Sequence, residues 1–152
     1  MMESINPLFN EISRSQVKIS TTKPKTRAER SDKTKNVKFS VEHLFYMKLR
    51  TYCKQAGVYY ERKYRKPLSQ TKFNTLLLRH MLKNLDMVDW EIPYKDSKRY
   101  MHTNLRINEY KQLGGPYGIG ISKGFSDRKV VYLMMKAGVE WLQRSGDIEK
   151  II

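Results

Sequence analysis

The sequence predicts a mainly α-helical protein with one short antiparallel β-ribbon, built from two strand-helix-helix units behind a flexible arm. Three observations predict it. A period-2 run near residue 37 is followed by two helical periodicities, that order recurs later in the chain, and the first 35 residues differ in texture from the rest.

Residues 20–35, STTKPKTRAERSDKTK, have one alanine as their only apolar residue. That is too little burial to offset the entropy of ordering, so residues 1–34 are expected to be a flexible basic arm. Within it Ile5, Leu8, Phe9 and Ile12 follow helical spacing after Ser4. That spacing fits a short helix for docking a protein partner, incidental packing or disorder. From Asn36 onward Val37, Phe39 and Val41 alternate with Asn36, Lys38 and Ser40, which predicts a strand. Leu44, Phe45, Leu49, Tyr52, Cys53 and Ala56 then mark the apolar face of a first helix closed by Gly57. Residues 58–68, VYYERKYRKPL, are expected to be a loop crowded with Arg62, Lys63, Arg65 and Lys66. After Pro67, Ser69 starts a second helix with Phe73, Leu76, Leu77, His80 and Met81 on one face.

The order then repeats. Thr103, Leu105 and Ile107 alternate with His102, Asn104 and Arg106, so TNLRI at 103–107 answers VKFSV at 37–41 with an offset of 66 residues. Likewise FSDRKVVYLMMKAGV at 125–139 aligns without a gap on LSQTKFNTLLLRHML at 68–82. The second copy diverges where GGPYGIGISKG replaces most of its first helix, which must be short or irregular because Gly114, Gly115 and Pro116 resist helix. The expected organisation is an arm at 1–34, a unit at 35–85, an acidic linker at 86–99, a second unit at 100–146 and a tail at 147–152. In the linker, Trp90 is expected to cover the edge of the core.

A unit of about 50 residues with one strand buries too little apolar surface to stand alone. Its strand also has unpaired edges, and pairing the two copies satisfies them within one chain. The ribbon would turn Val37, Phe39, Val41, Leu105 and Ile107 inward, leaving Asn36, Lys38, Ser40, His102, Asn104 and Arg106 outward. Over about residues 35–85 and 100–145 these features resemble the ribbon-helix-helix family of the Arc and MetJ repressors. The likeness is clearest at NLRI before a polar helix start and at Ser69 and Ser126 before aliphatic second helices. The two-copy arrangement is similar to that of the TraY proteins of conjugative plasmids. The resemblance implies base reading in the DNA major groove by Lys38, Ser40, Asn104 and Arg106, with Asn36 and His102 at the ribbon ends. It also implies phosphate clamping at Ser69 and Ser126 with the amides that follow. Chemistry agrees, since a two-stranded ribbon fits the major groove and helix N-termini attract phosphate. The plainer alternatives are a solvated strand face and ordinary helix caps.

Charge supports a polyanionic partner. The 152 residues include 30 Lys and Arg against 15 Asp and Glu, a net charge of +15, and residues 36–85 hold 11 basic against 2 acidic residues. Arg62, Lys63, Arg65, Lys66, Lys72, Arg128 and Lys129 are the further candidate phosphate contacts. The longest apolar run, Val130 to Met135, stops at Lys136, far short of the roughly 18 residues of a membrane span. With no secretory pattern and Cys53 alone, a cytoplasmic protein without disulfide or Cys-rich metal site is expected. His43, His80 and His102 lack metal-ligand spacing, GIGISKG lacks the P-loop ending, and the glutamates form no pair with a base. The expectation is therefore a cofactor-free, non-enzymatic DNA-binding protein of a plasmid or other mobile element. It would act as repressor, partition-site binder or accessory to a DNA-nicking complex, a single chain making its own ribbon with room for cooperative assembly on DNA. The alternative is a basic RNA-binding protein using Tyr59, Tyr60 and Tyr64 as stacking surfaces.

Overall fold

The computed structural model describes residues 33–144 and 146–152. Nearly all of the expected arm, with the docking helix expected near residues 5–12, lies outside the described residues. Strand β1 (Thr34–Ser40) leads to helix α1 (His43–Tyr64) and helix α2 (Gln70–Leu82). A short 3-10 turn (Leu85–Met87) and an extended linker then reach strand β2 (Tyr100–Arg106). Helices α3 (Ile107–Gly114), α4 (Ile119–Lys123) and α5 (Asp127–Arg144) and a last 3-10 turn (Ile148–Ile151) complete the fold. The class is the expected one, mainly helical with one two-stranded antiparallel sheet.

The register pairs Thr34 with Arg106, Asn36 with Asn104, Val37 with Thr103, Lys38 with His102 and Ser40 with Tyr100. Backbone pairing continues beyond the strands, from Ile107 N to Lys33 O at 3.1 Å and from Val41 N to Arg99 O at 2.9 Å. The ribbon is thus longer at its N-terminal end than the alternation suggested, and Thr34 and Lys35 belong to β1 rather than to an arm. Val37, Phe39, Val41, Met101 and Leu105 are buried as the period-2 pattern requires. Ile107 is instead the first residue of α3 and only half-buried.

The helices cross over beneath the sheet: α2 packs on β2, α5 on β1, and the two helices on each other. Two buried polar side chains of α2 tie it to β2. Asn74 Nδ2 donates to His102 O at 3.2 Å, and Thr75 Oγ1 accepts from Asn104 N at 2.9 Å. An ion pair flanks the same seam, Arg79 with Glu109 at 2.6 Å, and a second, Lys136 with Glu42 at 3.4 Å, joins α5 to the start of α1.

Three expectations about the helices need correction. Helix α1 does not close at Gly57 but runs on to Tyr64, ending where Arg65 takes a left-handed conformation at φ 58°. An interior glycine costs only about 1 kcal/mol relative to alanine, and the extra turns gain the Tyr60 and Tyr64 rings packed 4.7 Å apart. Pro67 then bars Lys66 from continuing the helix. Leu44 is 65% exposed, because the buried stripe of α1 runs through Phe45, Leu49, Cys53 and Ala56. On α2, Leu76 and His80 are half-buried while Asn74 and Thr75 take core positions.

The first helix of the second half is short, as expected, and α4 is a separate single turn. Trp90 packs partly buried against the core, 6.5 Å from Phe125. The C-terminal turn buries Ile151 against the helices. Among the described residues no helix is long and apolar enough to cross a membrane.

Glu109 gives the seam a pH dependence. Burial alone would raise its carboxyl, but hydrogen bonds from Arg79 and the Arg106 amide, with both charges, hold it below the ordinary range. Stabilisation from a depressed carboxyl is complete above its ordinary pKa and is lost as pH falls through the folded value. Glu109→Gln is therefore expected to destabilise the fold on the order of 1 kcal/mol at pH 7, with the gap narrowing toward pH 3. Urea midpoints at the two pH values check this, and an unchanged gap would contradict it.

Candidate nucleic-acid interface

The strand face opposite the core carries an exposed polar row, because alternation that buries Val37 and Phe39 must turn Asn36 and Lys38 away. Asn36 Nδ2 donates to Asn104 Oδ1 at 2.9 Å, and Asn36 Oδ1 lies 3.1 Å from His102 Nδ1. These cross-strand contacts link three of the six sequence-predicted residues and hold their amides in place. Arg106 extends the row at one end, exposed, its backbone amide donating to Glu109 Oε1 at 3.1 Å. Thr34 lies opposite it, exposed, and was not foreseen.

The other end of the row is closed, and Ser40 is not an outward residue. It is 1% exposed, its hydroxyl donating to Lys95 O at 2.8 Å and its amide to Tyr94 Oη at 3.2 Å. The linker folds over this end of the ribbon, with Ser97 Oγ donating to Val41 O at 3.0 Å. Tyr100, opposite Ser40, takes the place at the surface. Lys38 Nζ sits 4.8 Å from its ring centroid and the Arg128 guanidinium 5.8 Å. Its hydroxyl donates to Asp96 at 3.0 Å, and that bond pushes the phenol above its ordinary range. A candidate base reader at Ser40 is thereby replaced by a tyrosine flanked by two cations.

Both predicted helix starts have the expected local geometry. Ser69 Oγ accepts from Lys72 N at 3.1 Å and Ser126 Oγ from Lys129 N at 3.3 Å. The amides ahead of Lys72 and Lys129 are those an α-helix leaves without intrahelical acceptors. The two starts differ in charge. α2 has no acidic residue in its first turn, whereas α5 opens on Asp127. Asp127 accepts the Tyr110 hydroxyl at 2.6 Å, a bond that pushes the Tyr110 phenol up to about 12. The contact of Arg128 with Tyr100 brings the α5 start to the edge of the polar row.

The basic cluster is not a loop. Arg62 and Lys63 form the last turn of α1, Arg65 caps it and Lys66 follows, all exposed. Lys63 Nζ and Tyr64 Oη donate to Ile152 O, each at 3.3 Å. Among the described residues no hydrogen bond, ion pair or cation-π contact joins this cluster to the ribbon row. Cys53 is buried near Leu68 O, its thiol pushed up by burial. No group of three or more His, Cys, Asp or Glu side chains that could hold a metal occurs among the described residues.

Comparison with family models, with curated proteins and with solved structures finds no match to this chain. The reading of the site rests on its geometry.

Ser69 offers a test of the cap itself. Ser69→Ala is expected to lose about 1 kcal/mol, while Ser69→Asp, an equally good cap, keeps wild-type stability. Thermal unfolding of the two variants checks this. Equal losses in both would show that the hydroxyl does not cap α2.

Proposed function

We propose that this protein is a sequence-specific double-stranded DNA-binding protein, a tandem ribbon-helix-helix chain whose ribbon enters the major groove. The observation that carries the reading is the ribbon itself, with one face burying Val37, Phe39, Met101, Thr103 and Leu105 and the other presenting exposed Asn36, His102, Asn104 and Arg106 with half-buried Lys38. Amide and guanidinium groups on such a row match adenine and guanine edges, and a two-stranded ribbon has the width of the groove.

The tandem reading draws support from local two-fold relations. Val37 pairs with Thr103, and these residues are themselves 66 apart, the offset of the sequence repeat, so equivalent residues meet at the ribbon's centre. The ion pairs Arg79 with Glu109 and Lys136 with Glu42 each join a second helix of one half to the start of a first helix in the other. Ser69 and Ser126 make the same bond three residues ahead. The RNA reading loses support, because Tyr60 and Tyr64 pack on each other and Tyr64 bonds to the C-terminus. Repression, partition and assistance to a DNA-nicking complex on a mobile element are all roles open to a protein of this kind.

The two strands present different donors, so the elementary site is non-palindromic. Selection from random duplexes is expected to return an asymmetric motif. Arg106→Ala and Asn104→Ala each relax preference at one base position by roughly 1–3 kcal/mol, whereas Ser40→Ala leaves preference unchanged because Ser40 is buried. Ser69→Asp, with its cap intact, weakens binding to every sequence by placing a carboxylate at the phosphate. A palindromic motif, or full preference retained in both strand variants, would sink the proposal.

A further inference from the structure

The glycine-rich segment between α3 and α5 packs Ile119 and Phe125 against the core but turns other apolar side chains to solvent. It ends in an apolar tip. Tyr117 is 100% exposed and Ile121 66% exposed. Yet the segment is tightly built: Gly118 N donates to Gly115 O at 2.9 Å and Phe125 N to Gly120 O at 2.8 Å. A Cβ on Gly118 would stand 2.9 Å from the Leu113 carbonyl, and one on Gly120 2.8 Å from Phe125 O. Close backbone packing of this kind fixes the turn on the buried Leu113, so the tip is presented by rigid elements.

Its surroundings are basic. Lys111 and Lys123 are exposed on either side of the tip, and Arg128 and Lys129 follow on α5. Of the acidic groups on the flanking helices, Asp127 is engaged by Tyr110 and Glu109 by Arg79, and Asp89 and Glu91 flank Trp90, on whose ring Lys123 rests at 4.8 Å. An apolar tip ringed by cations repels a second copy of the same surface and suits a duplex, whose deoxyriboses are apolar and whose phosphates are anionic. Position agrees with this. The segment feeds directly into the α5 start, where Arg128 meets Tyr100 at the edge of the ribbon row. Helix α3 departs from Arg106 and rises about 12 Å over its eight residues. The minor groove beside an occupied major groove lies about half a helical turn away, roughly 17 Å.

We propose that Tyr117 and Ile121, with Lys111 and Lys123, form a second DNA contact that packs into the minor groove flanking the ribbon's site on the α5 side only. The inference rests on the DNA-binding reading above. Among the described residues the first half has no such glycine-rich tip, since α1 is one continuous helix at the corresponding place. The tip therefore lengthens the footprint in one direction. Apolar wedges at minor-groove steps are an established means of gaining contact area on DNA.

The test uses the full chain and a duplex carrying the selected site with long flanks. Tyr117→Ala is expected to keep the wild-type unfolding midpoint and core motif, to lose roughly 5- to 100-fold in affinity, and to shorten the hydroxyl-radical footprint on one side by about 5 base pairs. Trimming that flank weakens the wild type and leaves the variant unchanged, and Tyr117→Phe behaves as wild type. An unchanged footprint and affinity in Tyr117→Ala overturns the tip while leaving the ribbon reading intact. Loss of self-association by the variant in sedimentation without DNA, with its footprint unaltered, assigns the tip to a second copy and also overturns it. Absence of any wild-type footprint overturns the ribbon reading and the tip together.

Discussion

The fold depends on two strands, separated by some sixty residues of chain, satisfying each other's backbone. A two-stranded ribbon has two further edges, and an unpaired edge buried under a helix is costly. Here the helix that covers β2 supplies the missing partners: Asn74 bonds to His102 O and Thr75 to Asn104 N. Neither residue has an apolar reason to be at 0% and 3% exposure. They are buried because the strand above them needs a donor and an acceptor at that spacing, and the register of α2 on β2 follows from those two bonds. Gln70, one turn earlier, donates to both Asn74 Oδ1 and Leu49 O, which couples the same register to α1.

Once the ribbon is held from below, its upper face is free to be polar. In most small domains a sheet buries one face and solvates the other, and the solvated face is chemically anonymous. Here Asn36, Asn104 and His102 engage one another across the strands. Two long cations, Lys38 and Arg128, rest on Tyr100 instead of ranging freely in solvent. Side chains held before binding lose less entropy on binding, so the contacts that order the row would favour the DNA contact proposed above.

Much of this was legible in the sequence because it depends on period. The inward set Val37, Phe39, Val41 and Leu105 follows from alternation alone, and Ser69 follows from its place between Pro67 and an apolar-periodic run. What was not legible depends on residues distant in the chain. Ser40 continues the outward alternation, and nothing local says that Tyr94 and Lys95 fold back over it. The continuation of α1 past Gly57 was hidden for another reason. A glycine signals a helix end only when the next residues have no helical contacts to gain, and here Tyr60 and Tyr64 gain one. Leu44 stands at helical spacing and is apolar, which points to the core, whereas the buried stripe of α1 runs through Phe45 at that level.

The two ends of the exposed row differ. At one end of the row Thr34 and Arg106 stand open, while at the other the linker seals Ser40 and sets the Asp96 carboxylate against Tyr100. The helix starts differ in the same sense. The first turn of α2 presents unopposed amides, whereas Asp127 brings a carboxylate to the positive end of α5, where it competes with any external anion. Tyr110 reduces that competition by donating to the carboxylate at 2.6 Å without neutralising it. An anion would accordingly be held more firmly at Ser69 than at Ser126. Asp127 also lies just after the glycine-rich turn, so the helix start with the weaker pull on an anion is the one beside the exposed Tyr117 and Ile121. In the proposed complex, apolar contact at Tyr117 and Ile121 would offset there what the helix end lacks in electrostatic attraction.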